Sequence, residues 1–240
     1  MRLQTSKLVP AQRGSDRALF PERSLDARGV AAQANEEAEG LARPLTPEFV
    51  GELRNLLTTL AKGHAVQRTP HRIAVSGAQA EADAPFITAS LAITCAGSGY
   101  RVLLVDAGLD RPRLHDSFAL SPSPGVTELL SSLEPPHLFV QPTSVPNLSL
   151  IGAGAPVANY SSLLSRERLF HRIEPLANRF EYIIVACGSL PPSLVGRVAG
   201  GADSVILAVK ENVSSLRDLS SVVEVLDREG IANPAVLMVS

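Results

Sequence analysis

Residues 71–92 read HRIAVSGAQAEADAPFITASLA, and their order predicts a strand, a loop and a helix in close succession. Ile73, Ala74 and Val75 form a short apolar run that suits a buried strand. From Pro85 onward, Phe86, Ile87, Ala89, Leu91 and Ile93 recur at spacings that give a helix with a broad inward face. Strand, loop and helix together make the frame of a phosphate-binding loop of the form A/G-x4-G-K-S/T. In that loop glycine lets backbone N–H groups approach phosphate, lysine brings a positive charge, and the hydroxyl holds Mg²⁺. Ala78 suits the first position, but the Gly-Lys-Ser/Thr end falls on Asp83, Ala84 and Pro85. The expectation is a nucleotide-binding fold that has stopped handling nucleotide, with no catalytic residue and no metal site.

Working outward, residues 1–45 mix charged, polar and alanine residues with little periodicity, which predicts a flexible N-terminal leader. Residues 46–240 are then one domain. It opens with a helix capped by Thr46, started by Pro47 and carrying the apolar stripe Phe49, Val50, Leu53, Leu57 and Leu60. Beyond the loop helix, apolar strands are expected at Val102–Val105, Leu148–Ile151 and Ile183–Ala186, and in the stretches DSVILAVK and PAVLMVS. Helices are expected in GVTELLSSL, over about Ser161 to Ala177, and after Val213 up to Gly230. Continuous apolar strands alternating with amphipathic helices predict an α/β fold, a doubly wound, mostly parallel sheet with helices on both faces and ligands at the carboxyl ends of its strands.

Composition narrows the function classes. With 45% hydrophobic residues and a net charge of −2 there is no basic excess to hold nucleic acid. No apolar run reaches the roughly 20 residues of a membrane span, and no signal peptide is evident at the N-terminus, so a cytoplasmic location is expected. Cys95 and Cys187 lack metal-like spacing and are expected to be small buried residues.

Five landmarks in this order resemble the bacterial tyrosine kinase family of capsule and exopolysaccharide systems, relatives of the ParA/MinD class of P-loop ATPases. GAQAEADAPFITASLA is similar to the family's first nucleotide motif, and RVLLVDAGLDRPRLHDSF to its second, written D-x-D-x-R-R-P. GVTELLSSL, NLSLIGAGAPVANYSSLLSRERL and FEYIIVACGSLPP follow in the family's order. The resemblance implies a sheet of the P-loop ATPase type and aligns the family's lysine with Ala84 and its Mg²⁺-binding hydroxyl with Pro85. In the second motif Asp106 stands, its partner acid is Gly108, and the third motif's aspartate is Ala186. Asp106 is therefore either a vestigial cofactor-binding residue or the cap of a turn. Glu81 and Asp83 add negative charge where a triphosphate would lie, so ATP and Mg²⁺ are expected not to bind. Within PEFVGELRNLL, Glu48 and Arg54 hold positions of the family's oligomerisation motif and are interaction candidates, with a solvated helix face as the other reading. His115 and Arg113 are expected to be structural. The family's C-terminal tyrosine cluster has no counterpart among Tyr100, Tyr160 and Tyr182.

What the resemblance implies for function is a catalytically inactive cytoplasmic component of polysaccharide (capsule, exopolysaccharide or holdfast) synthesis and export. Its partner would be an inner-membrane polysaccharide co-polymerase, which would bring it to the inner face of that membrane, and homo-oligomers are allowed. The alternatives are a divergent active ATPase or autokinase of the same system, borrowing Lys210 or Lys62 from a neighbouring subunit, and a ParA/MinD-like positioning protein.

Overall fold

The structure, a computed structural model, describes residues 25–38, 40–63, 70–78, 83–166, 168–210, 216–231 and 234–239. Its strands are β1 (His71–Gly77), β2 (Val102–Asp106), β3 (Gln141–Pro142), β4 (Leu148–Ile151), β5 (Tyr182–Gly188), β6 (Ser204–Lys210) and β7 (Ala235–Val239). They form one sheet in the order β3-β4-β2-β5-β1-β6-β7. Pairing is parallel throughout, except where the two-residue β3 runs antiparallel to β4 at the edge.

Side chains alternate across a strand, and the two halves of each strand's apolar run serve two cores. Val102 and Leu104 of β2 join the core beneath α1 (Ala27–Glu37), α2 (Pro47–Gly63) and α3 (Ala84–Gly97). Leu103 and Val105 join the core beneath α4 (Val126–Ser131), α5 (Tyr160–Arg166), α6 (Leu169–Ile173), α7 (Pro192–Ala199) and α8 (Leu216–Arg228). The sheet is thus covered on both faces, as the unbroken apolar strands require.

Helix α3 carries no charged residue, and every residue from Phe86 to Ala96 is buried. A helix apolar all round needs cover on its outer side as well as against the sheet. Its hydroxyls are satisfied internally: Thr88, Ser90 and Thr94 donate to the carbonyl four residues earlier at 2.6–2.7 Å, as does Ser98 just beyond. Helices α1 and α2 supply the outer cover. Val30, Ala31 and Ala34 of α1 are buried there, and the absence of a side chain at Gly97 allows the approach, since a Cβ would lie 2.8 Å from Val30 Cγ2.

This corrects the expected leader over 25–45, where the chain forms α1, capped by the Asp26 carboxylate accepting from Gly29 N at 2.7 Å. Three small apolar residues were too few to register as periodicity, yet they suffice against a neighbour as flat as α3. Residues 1–24 lie outside the described residues. The single helix expected from Ser161 to Ala177 is instead α5, α6 and a 3₁₀ turn from Glu174 to Arg179, with Arg168 extended between the first two. Pro175 opens that turn and has no N–H to continue α6. The proline turn after β5 leads directly into α7, whose Pro192 start and Leu194, Val195, Val198 spacing were a legible signal.

Gly51 sits inside α2 with open space where a Cβ would be. Gly51→Ala is therefore expected to stabilise the fold by about 0.5–1 kcal/mol, seen as a higher urea midpoint with an unchanged slope. A lower midpoint would mean that this position is needed for close approach.

Candidate functional site

The carboxyl ends of β1, β2 and β5 meet at one side of the sheet, above the start of α3. At the end of β1, Ala78 N donates to Ala208 O of β6 at 2.9 Å, which anchors the loop's first position. Glu81 lies outside the described residues. Asp83, immediately before α3, has φ 52° and ψ 37°, a left-handed conformation that favours glycine. The backbone thus keeps at Asp83 the shape suited to the glycine of the motif while carrying a carboxylate. Ala84 is buried, and Pro85 stands in the first turn of α3.

At the end of β2, Asp106 is 3% exposed. Its Oδ1 accepts from Gly108 N at 3.1 Å and its Oδ2 from Leu114 N at 3.2 Å. Burial pushes its carboxyl up to about 7, against the pull of the Leu114, Gly108 and Arg113 N–H groups, and nearby Asp110 adds to the rise. Both oxygens are engaged in closing the turn after β2, which is the capping arrangement. Gly108 lies between this carboxylate and the end of β5. A Cβ there would lie 3.3 Å from Asp106 Oδ1 and 3.4 Å from Gly188 Cα, and Gly188 itself has φ +59°. Ala107 N donates to Ala186 O at 2.9 Å, so the two strand ends are laced together where two acids of the motif would otherwise project.

A cavity of about 240 Å³ opens beside these residues, lined by Ala84, Pro85, Arg111, Arg113, Gly188 and Ser189 together with Gly40 and Ala42 of the α1–α2 connection. Arg43 from the same connection pairs with Asp83 at 3.3 Å and lies 4.2 Å from the centre of the Phe86 ring, which stacks on Phe49. Asp110 accepts from Ser189 Oγ at 3.4 Å. Among the described residues no group of three or more His, Cys, Asp or Glu side chains could hold a metal ion.

Of the other candidates, His115 lies beside its neighbour Asp116, Nε2 to Oδ1 at 3.3 Å, and Arg113 lines the cavity wall. Glu48 is exposed in the first turn of α2. Arg54 is partly buried and donates to the carbonyl of Leu25, ahead of α1; burial lowers its pKa, with Asp26 opposing. Six residues apart, Glu48 and Arg54 lie on different sides of the helix, and neither lines the cavity. Cys95 and Cys187 are both free and wholly buried, as expected. Arg43 and Gly40 lie in a stretch that has no periodicity, so the sequence carries no local signal for them.

No protein-family model matches the chain. It is 38% identical over 122 residues to the tyrosine-protein kinase ptk of Acinetobacter johnsonii, a match that covers 51% of this chain and 16% of the relative. It superposes on the BceF tyrosine kinase domain with TM-score 0.68 and 27% identity, covering 90% of this chain and 89% of that domain. At the level of the family, the match is to the bacterial tyrosine kinases. The chain spans only between 16% and 25% of the length of four curated kinases that it matches. A further match, 29% identical over 142 residues, is to the succinoglycan biosynthesis transport protein ExoP of Rhizobium meliloti, covering 58% of this chain and 18% of that protein. The kinase-like sheet also superposes on the Pyrococcus furiosus cell division ATPase MinD, TM-score 0.56 at 20% identity, over 70% of this chain, which is a likeness of fold. The architecture is therefore that of a doubly wound P-loop ATPase.

Proposed function

We propose that the chain belongs to a polysaccharide synthesis and export system and acts there through contacts with an inner-membrane co-polymerase, without binding ATP. The kinship with a succinoglycan transport protein and with bacterial tyrosine kinases supports the system. One observation carries the inactivity: the loop's charged and hydroxyl-bearing positions are Ala84 and Pro85 at the start of α3. A proline there has no N–H to offer phosphate and no hydroxyl for Mg²⁺, and alanine brings no charge. Gly108 brings no carboxylate where the motif has its second acid, and Asp106 spends both oxygens on backbone N–H groups. These residues do not fit a Mg²⁺-bound triphosphate. A scaffold kept without that chemistry is useful for its surfaces, and the fully exposed Leu133 with the half-exposed Leu138 offers apolar contact.

The names of the relatives favour a second reading, an active but divergent autokinase of the same system. Lys210, at the carboxyl end of β6 beside β1, is then the cation a neighbouring subunit would lend, and Lys62 the other candidate. Incubation with radiolabelled ATP and Mg²⁺ separates the two. The proposal expects no label on tyrosine, together with co-purification of the chain with a membrane co-polymerase that the double variant Leu133→Asp/Leu138→Asp weakens. Phosphotyrosine at Tyr100, Tyr160 or Tyr182 would establish the autokinase instead.

A further inference from the structure

A second groove lies on the other side of the sheet from α1, α2 and α3, at the end of α4 and along α5. Its volume is about 580 Å³, and it shares no lining residue with the cavity at the carboxyl ends of the strands. Buried Leu130, half-buried Val157 and Leu163 and fully exposed Leu133 give it apolar surface. Arg166 and Arg172 give it positive charge, and among the described residues no acid lines it. The two guanidiniums differ. Arg172 donates to the carbonyls of Leu129 and Ser132 at 3.1 Å and also to that of Glu134, so it is fixed at the end of α4, and neutral carbonyls leave its charge uncancelled. Arg166, the last residue of α5, is exposed and makes no ion pair with any described residue. In a chain of net charge −2, a groove with two cations and no lining acid is a local feature that selects among partners.

We propose that this groove takes a peptide segment carrying carboxylates beside a large apolar side chain, the carboxylates on Arg166 and Arg172 and the apolar side chain against Leu133 and Leu163. The guanidinium fork suits a carboxylate, and one already held in place, as Arg172 is, loses little further freedom on binding. A sugar acid would meet the two cations and leave Leu133 in water, whereas a peptide covers both. The chain's own N-terminal stretch has the wrong sign, since residues 1–24 carry five basic side chains against Asp16 and Glu22. That the segment belongs to the co-polymerase rests on the function proposed above; the groove's preference for an acidic peptide does not.

The probe is a library of random peptides displayed on phage and selected on the full chain, with the recovered sequences resynthesised and measured by fluorescence anisotropy. Recovered peptides are expected to pair Asp or Glu with Leu, Ile or Phe. Arg166→Glu and Leu133→Asp, both at exposed positions, are each expected to weaken them about tenfold or more. Arg228→Glu makes the same change of charge on α8, outside the groove, and should leave affinity unchanged. Raising salt from about 0.05 to 0.5 M should weaken binding to the native chain more than to the Arg166→Glu chain. Circular dichroism checks that each variant is folded, and Arg172 is left intact because it also holds the end of α4. Recovery of no peptide, or of peptides indifferent to both groove variants, would overturn the proposal. So would self-association of the native chain that Arg166→Glu abolishes, which makes the occupant a second copy, or saturable binding of glucuronate that Leu133→Asp leaves unchanged, which makes it a sugar acid. Peptide binding without co-purification of a membrane co-polymerase would leave the groove standing and defeat the function proposed above. Co-purification with no peptide selected would do the reverse.

Discussion

Between pH 5 and 8 the folded chain is expected to lose about 2.5 kcal/mol of stability through Asp106 alone, and Asp106→Asn to abolish that loss. The sign follows from the direction of the shift. A carboxyl whose pKa is raised from 3.8 to about 7 by folding holds its proton in the native state where the unfolded chain has released it. Its contribution is whole below the unfolded value, falls as pH climbs between the two, and levels off above about 7. The cause is burial at 3% exposure, only partly offset by backbone donors. Asparagine keeps one oxygen for Gly108 N or Leu114 N and sets an amide against the other, a constant cost of about 1–2 kcal/mol. The two denaturation profiles should therefore cross: the native chain more stable at pH 5, the variant equal or better at pH 8. Parallel profiles would show that Asp106 is ionised throughout, as it would be beside a bound cation.

How far the residues foretold the fold depends on where the information lay. The strands were legible because runs such as Val102–Val105 and Ile183–Ala186 are apolar on consecutive positions, and only a sheet covered on both faces buries such runs. Helix α3 was legible as a helix, and its lack of charge already implied an outer layer, but not which residues supplied it. Helix α1 gives little local signal because its buried face is only Val30, Ala31 and Ala34, and the fit of Val30 against Gly97 is a match of shapes between segments some sixty residues apart, not a local pattern. At the site, the identity of Ala84, Pro85 and Gly108 could be read directly. The left-handed backbone of Asp83, the approach of Gly188 to Gly108 and the arrival of Arg43 are tertiary facts that neighbours in the chain do not encode.

The second large expectation concerns nucleotide. If each missing charge-assisted contact is worth about 1.5–3 kcal/mol, half the sum over the lysine, the hydroxyl and the two absent acids is about 3–6 kcal/mol, which weakens Mg·ATP by roughly a hundredfold to ten-thousandfold. The Arg43–Asp83 pair does not make good the loss, because its cation is already committed to a carboxylate at the loop. The triple variant Asp83→Gly/Ala84→Lys/Pro85→Thr should regain at least about tenfold, the worth of a single restored contact, while remaining limited by Gly108 and by the engagement of Asp106. Equilibrium dialysis of the purified chain against labelled ATP with Mg²⁺ is the direct measurement. No retention at micromolar nucleotide, with a gain in the triple variant, is the predicted result; saturable binding by the native chain at micromolar ATP would contradict it.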